Sequence, residues 1–455
     1  MARLVIMSNR VAASRDRQQK AGGLAVTLQE ALKGDVLWFG WSGRVNAKPE
    51  STPRITVEKR ISYATVDLTE QEYRHFYVGF SNSTLWPLFH FRLGLVEYLR
   101  EDYQGYLGVN ARFADAAAPL LKSDDLIWVH DYHLIPMARL LRQRDQSQRI
   151  GFFLHIPFAP PEVIEILPAA GDLVKDLCAY DVVGFQTEVD CRAFRACAEV
   201  YLNARVTTSG DLLIDNRVIH IISVPAGIDA AAFARLSDAS ANSKEARRLQ
   251  ESLVGRKLMV GVDRLDYSKG LANRFEAYSR LLDRFPEHRS KISYLQIAAR
   301  SREDVLRYQN LKRDLDRICG KINGKFAEFD WVPLRYMTRS VPRRLLAGFY
   351  RSARIGLVTP LRDGMNLVAK EFVAAQSDED PGVLILSRFA GAAASLKDAI
   401  IVNPYDSDEI AEAIHQAMIM PLAERQARHI ALKEVVQKHS AAAWCRDFME
   451  HLVAA

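Results

Sequence analysis

Short apolar runs punctuate the chain: "RLVIMS", "VLWFG", "DLIWV", "RIGFFLH", "VVGFQ" and "VIHIISV", then "LMVGV", "ISYLQIA", "RIGLVT", "GVLILS" and "AIIVN". They are rich in β-branched and aromatic residues and too short for helices, so they predict strands covered on both faces. Between them, "LAVTLQEAL", "IPMARLLRQR", "RFEAYSRLLDRF" and "RRLLAGFYRSA" place apolar residues at helical spacing. Strands alternating with helices predict parallel sheets, and the fold class is α/β. The runs form two clusters, separated around Ala226–Asn242 by small and polar residues read as the interdomain link. Two doubly wound domains are expected, with the carboxyl ends of their strands on a shared central cleft, where such sheets bind ligands.

Length agrees, because 455 residues exceed what one core organises. The formal charge of +6, from 61 basic against 55 acidic residues, is spread along the chain without a stripe that would track nucleic acid. It suits solubility plus a local anionic ligand. No apolar run approaches the roughly 20 residues that span a bilayer, and the strand-like "RLVIMSN" stands where a leader would, so no membrane partner and a cytoplasmic location are expected. The cysteines Cys178, Cys191, Cys197, Cys319 and Cys445 are scattered, with no pair at zinc-ligand spacing, and read as reduced, packed thiols.

Candidate chemistry gathers at strand ends. In "TPLRDGMNLVAKEFVAAQ", Asp363 and Gly364 follow a strand and a helix starts near Asn366, presenting free N–H groups and the positive dipole end to an anion. Lys370 and Glu371 inside that helix suit a ligand with phosphate and vicinal hydroxyls, or form an exposed pair on an amphipathic helix. In "GVDRLDYSKGL", Arg264 and Lys269 flank a turn and can neutralise a departing diphosphate; an ion-paired surface loop is the alternative.

Nearer the start, "SNR" ends a strand at Arg10, and "QQKAGGLAV" offers Gly22 and Gly23 for close backbone approach to a phosphate or sugar, with Ser14–Lys20 read as a lid. "WVHDYHLIP" sets His130 and His133 about Asp131; without further ligands, a carboxylate gripping sugar hydroxyls is favoured over a metal site. His155, in "FFLHIPF", is a ligand contact or a satisfied core imidazole. "HFYVGFSNSTLWPLFHFR" supplies Tyr77 and Trp86, with Ser81, Asn82 and Ser83 expected to form a polar wall beside them.

Together the segments "SNR…AGGLA", "WFGWSG", "FSNSTLWPLFH", "HDYHL", "GFFLHIPF", "GFQTE", "RLDYSKG", "INGK" and "TPLRDGMNLVAKE" resemble the trehalose-6-phosphate synthases of the bacterial type, in the same order, from about Leu4 to Pro404. The resemblance implies a GT-B fold with two Rossmann-like domains: 1–230 for the acceptor, 231–438 for the nucleotide sugar, and a helix at 439–455 crossing back to the first. It implies a retaining glucosyltransferase acting on UDP-glucose and glucose 6-phosphate, with no cofactor and no metal.

By motif, the resemblance gives the donor site as Gly22, Gly23, His155, Arg264, Lys269, Asp363, Leu367, Val368, Ala369, Lys370 and Glu371. His155, Arg264, Lys269 and Asp363 carry the catalysis. The acceptor site is Arg10, Tyr77, Trp86, Asp131 and Arg302, with Arg300 as the competitor of Arg302 for the acceptor phosphate. Nothing in the sequence resembles a phosphatase module, so the product is expected to pass to a separate phosphatase; a homo-oligomer is compatible with the sequence. Two other readings are a synthase acting on glycerol 3-phosphate, which would share the donor motifs, and a silent sugar-phosphate sensor, which would be expected to have lost some donor residues.

Overall fold

The computed structural model describes residues 2–11, 35–301 and 306–455. Gly22, Gly23, the Ser14–Lys20 segment and Arg302 lie outside the described residues. Two compact units emerge: the first holds the described residues up to Pro225 together with Trp444–Ala455, and the second is Ala226–Ala443.

The first unit contains β1 (Leu4–Arg10), β2 (Val36–Val45), β3 (Arg54–Glu58), β4 (Ile61–Leu68), β5 (Leu126–His130), β6 (Arg149–Phe153), β7 (Val182–Phe185), β8 (Arg205–Val206), β9 (Leu212–Ile214) and β10 (Arg217–Ser223). Their order is β3-β4-β2-β1-β5-β6-β7-β10-β9-β8. Strands β4 to β10 of that row pair in parallel, with antiparallel strands at both edges. The chain moves outward from β1 in one direction to β2 and returns on its other side as β5, so the topological switch point lies between β1 and β5. Val5, Ile6 and Met7 of β1 are completely buried, as a two-faced core strand requires.

The second unit is built on β11 (Lys257–Arg264), β12 (Ile292–Ala299), β13 (Leu334–Met337), β14 (Ile355–Val358), β15 (Val383–Ser387) and β16 (Ile400–Val402), ordered β13-β12-β11-β14-β15-β16 and parallel throughout. Its switch point falls between β11 and β14. The segment Ala226–Asn242, expected as a link, is mostly the helix Ala230–Ala241. Asp229 caps that helix by accepting from the Ala232 N–H at 2.8 Å, and the alanines that resemble linker composition are good helix formers. The passage from one unit to the other occurs at Pro225–Ala226 instead.

Trp444, Phe448 and Leu452 of the helix Ala441–Ala454 pack in the core of the first unit. Phe448 stacks on Trp128 of β5 with ring centroids 4.4 Å apart and planes at 12°. Gly151 and Gly184 leave room for that ring: a Cβ at Gly151 would stand 2.7 Å from Phe448, and one at Gly184 2.9 Å. All five cysteines are unpaired, four of them buried. Among the described residues no helix is long and apolar enough to cross a membrane.

Candidate active site

At the carboxyl end of β11 the chain runs through Arg264, which is exposed, into a single turn at Tyr267–Lys269. Asp266 shapes that turn by accepting from the Ser268 N–H at 2.9 Å. Gly270, at φ +66, redirects the chain into the helix Leu271–Arg284. The neighbouring strand β14 ends in a loop clasped to this turn, the Leu361 N–H donating to the Ser268 carbonyl at 2.8 Å. The clasp brings Lys269 Nζ to 2.5 Å from Asp363 Oδ2, with both side chains largely enclosed.

Asp363 is fixed on several sides. Its carboxylate also accepts from Asn366 Nδ2 at 3.0 Å, its N–H donates to the Phe389 carbonyl, and its own carbonyl accepts from Gly391. Asn366, in the left-handed region at φ +74, starts the helix Leu367–Ala375, which no side chain caps. The N–H groups of Leu367, Val368 and Ala369 thus form an uncapped helix start beside a lysine, at the switch point of a parallel sheet, which is an anion-binding arrangement.

Lys370 and Glu371 do not act as a pair. Successive residues on a helix point about 100° apart, and here the two side chains meet different partners. Lys370 is completely buried, with Nζ donating to the Ala226 carbonyl at 2.6 Å. Its ammonium is therefore engaged on backbone and not on the Asp363 cluster. Glu371 is half-buried and accepts from Arg343 Nε at 3.2 Å. Burial pulls the Lys370 amine from its ordinary 10.5 down to about 7.

Between those two values the unfolded chain binds the proton and the folded one does not, so the Lys370 contribution to stability rises with pH across this window and is flat below it. Relative to Lys370→Met, the wild type should gain about 1.4 kcal/mol per pH unit from about pH 7 towards about pH 10. Urea unfolding of both proteins across that range checks it, and parallel stability curves would refute it.

Two residues missed in the sequence hold this site. Arg274, completely buried, ion-pairs with Asp263 of β11 and donates to Thr359 Oγ1 at 2.9 Å, Gln296 Oε1 at 3.3 Å and the Lys269 carbonyl at 3.0 Å. It ties both loops to the sheet beneath them. Its signal was a charged residue on the face of the helix Leu271–Arg284 shared by buried Leu271, Tyr278 and Leu281. Arg343, the partner of Glu371, carried no such mark in "RRLLAGFYRSA".

In the first unit, Arg10 ends β1 with its guanidinium 5.9 Å from the centre of the Trp41 ring. Trp41 meets Tyr73 and Tyr77, and Tyr77 stacks on His133 at 5.9 Å and 11°. Tyr132 links this row to Trp86, itself buried against His90. Tyr77 and Trp86 lie on or next to a π-helical stretch, Tyr73–Leu85, a rare geometry frequent at functional sites. Ser81, Asn82 and Ser83 do not make the expected polar wall. Ser81 and Asn82 are buried, while Asn82 Nδ2 and Ser83 Oγ donate to the carbonyls five residues earlier, Tyr77 at 2.7 Å and Val78 at 2.9 Å.

Asp131, just past β5, adopts φ +73 and ψ 164, a region that glycine alone occupies readily, at a cost of about 1–3 kcal/mol. The surrounding bonds enforce it: the Asp131 N–H donates to the Phe153 carbonyl at 2.9 Å, and Asp131 Oδ1 accepts from the His155 N–H at 3.3 Å. His155 Nε2 lies 3.1 Å from His130 Nδ1. Burial drives the His155 pKa down from 6.5 to about 3, so this imidazole is neutral at physiological pH. Arg10, Asp131 and His155 thus share the carboxyl edge of β1, β5 and β6.

The sequence profile of glycosyltransferase family 20 matches residues 3–454. The trehalose-6-phosphate synthase of Cronobacter sakazakii is 46% identical over 453 residues, covering 99% of this chain and 95% of that protein. The α,α-trehalose-phosphate synthase (UDP-forming) of Burkholderia xenovorans, solved with glucose-6-phosphate, superposes with a TM-score of 0.96 at 46% identity, over 99% of this chain and 100% of that one. An E. coli structure bound with UDP-2-fluoro glucose gives a TM-score of 0.93 at 44% identity, over 99% of each chain. With likeness running over nearly its whole length, the chain belongs to glycosyltransferase family 20.

Proposed function

We propose that this GT-B enzyme transfers glucose from UDP-glucose to the anomeric hydroxyl of glucose 6-phosphate, giving α,α-trehalose 6-phosphate and UDP with retention at the transferred carbon. The observation that carries the reading is the Lys269–Asp363 pair beside the uncapped start of the helix Leu367–Ala375, with Arg264 at the same end of β11. A nucleoside diphosphate sugar needs those groups: positive charge and N–H donors for the diphosphate, and a fixed carboxylate for the sugar hydroxyls.

In the step we favour, the bond from the glucose anomeric carbon to the diphosphate oxygen breaks, its electron pair leaving with UDP. The acceptor's anomeric oxygen bonds to that carbon on the same face, and its proton passes to the departing phosphate oxygen. Arg264 and Lys269 ease the separation of charge, the part a metal ion would otherwise play. On the acceptor side, Arg10 supports a phosphate contact, Tyr77 an aromatic face, and Asp131 an acceptor for sugar hydroxyls, while buried Trp86 packs behind Tyr132.

Purified protein offered UDP-glucose and ADP-glucose, each with glucose 6-phosphate or glycerol 3-phosphate, tests this. UDP release and trehalose 6-phosphate formation with the first donor and first acceptor are expected. A preference for glycerol 3-phosphate would overturn the assignment, and binding of glucose 6-phosphate without any UDP release would favour a sensor.

A further inference from the structure

His130 is completely buried at the end of β5, and its two ring nitrogens have different surroundings. Nδ1 faces His155 Nε2 at 3.1 Å. Nε2 is enclosed and finds no hydrogen-bond partner among the described residues. The rings packed on it are Trp128, with centroids 4.5 Å apart, and Trp444 at 6.1 Å. The indole N–H of each is also buried and unpartnered, and an indole N–H donates but does not accept.

A neutral imidazole carries one proton. On His130 Nε2 it would be a buried N–H with no acceptor among the described residues, leaving His155 Nε2–H to donate to His130 Nδ1. On His130 Nδ1 the proton is used in the bond to His155, and Nε2 keeps only a lone pair. Orphaned buried N–H groups are the rarer and costlier case, so the second arrangement is favoured.

We infer that His130 is a positioning residue: its Nδ1–H donates to His155 Nε2, which fixes the His155 proton on Nδ1 and makes the outward edge of that imidazole a hydrogen-bond donor. The inference rests on the functional reading above, because a sugar hydroxyl oxygen is what such a donor would meet. Trp444 completes the frame, its ring edge-on to His155 with centroids 5.7 Å apart, while Asp131 Oδ1 holds the His155 backbone. Burial keeps both rings neutral, so the pattern persists across physiological pH.

Nitrogen NMR of the full chain labelled with 15N-histidine reads this directly. The His155 signals, identified by their loss in His155→Gln, should show a protonated Nδ1 and a bare Nε2. In His130→Phe, which removes the donor and leaves a ring face that can take an N–H, His155 should move to the Nε2–H form that a neutral imidazole prefers by itself. With it, kcat should fall about tenfold to a hundredfold, as when an orienting partner is lost. His130→Asn, whose amide donates, should recover part of both. A His155 protonated on Nε2 in the wild type would overturn the inference even if the Phe variant failed to fold, and so would an unchanged tautomer in that variant. The wild-type spectrum requires no turnover, so the tautomer and the transferase activity are refuted separately.

Discussion

Lys269→Met lowers kcat about a hundredfold or more, the scale on which removing a group aimed at developing transition-state charge acts. Methionine keeps the length and bulk of the lysine stem and removes only the ammonium. Asp363 retains Asn366 and its backbone bonds to Phe389 and Gly391, so the loop stays in place. The ammonium sits in a largely enclosed position, where a charge acts more strongly than at an exposed surface. The KM for glucose 6-phosphate, assigned to residues of the first unit, should move little. Arginine should not restore the rate, because a planar guanidinium cannot replace a compact ammonium 2.5 Å from Asp363. Initial rates over both substrates check this, and an unchanged kcat would remove Lys269 from the leaving-group role.

Arg274→Met acts on the fold rather than on the chemistry. It removes four hydrogen-bonded contacts at once and strands the Asp263 carboxylate, nearly fully buried, without its ion-pair partner. Breaking a buried pair from one side costs about 3–5 kcal/mol, so the midpoint of denaturant unfolding should fall accordingly. Activity per folded molecule should fall as well, since the Lys269 carbonyl and Thr359 lose their common tether. The paired variant Asp263→Asn with Arg274→Met should recover part of the lost stability, because no buried charge is then left alone. If Arg274→Met shifted unfolding by less than about 1 kcal/mol, the guanidinium would not be the tie described.

The strands that build both sheet centres were legible because residues buried on two faces must be apolar without interruption: "LMVGV" and "RIGLVT" are β11 and β14. Their neighbours at the edges were not. β3 is exposed along nearly its whole length, and β13 is a four-residue edge strand, so neither produces an apolar run. At the site, the helix start at Asn366 and the placement of Arg264, Lys269 and Asp363 at strand ends followed from strand–turn–helix order. What could not be read was direction. Local composition does not reveal that Lys370 reaches the Ala226 carbonyl while Glu371 reaches Arg343, that Asn82 and Ser83 bond back into a π-helix, or that His130 faces His155. Those outcomes depend on which distant backbone each side chain meets.

Trp444–Ala455 fill a site on β5, β6 and β7 that is laid down long before them. On the ribosome, the entire second unit is synthesised before Phe448 can reach Gly151 and Gly184. The nascent first unit must therefore wait with an uncovered greasy groove, a state prone to clumping that chaperones are suited to shield.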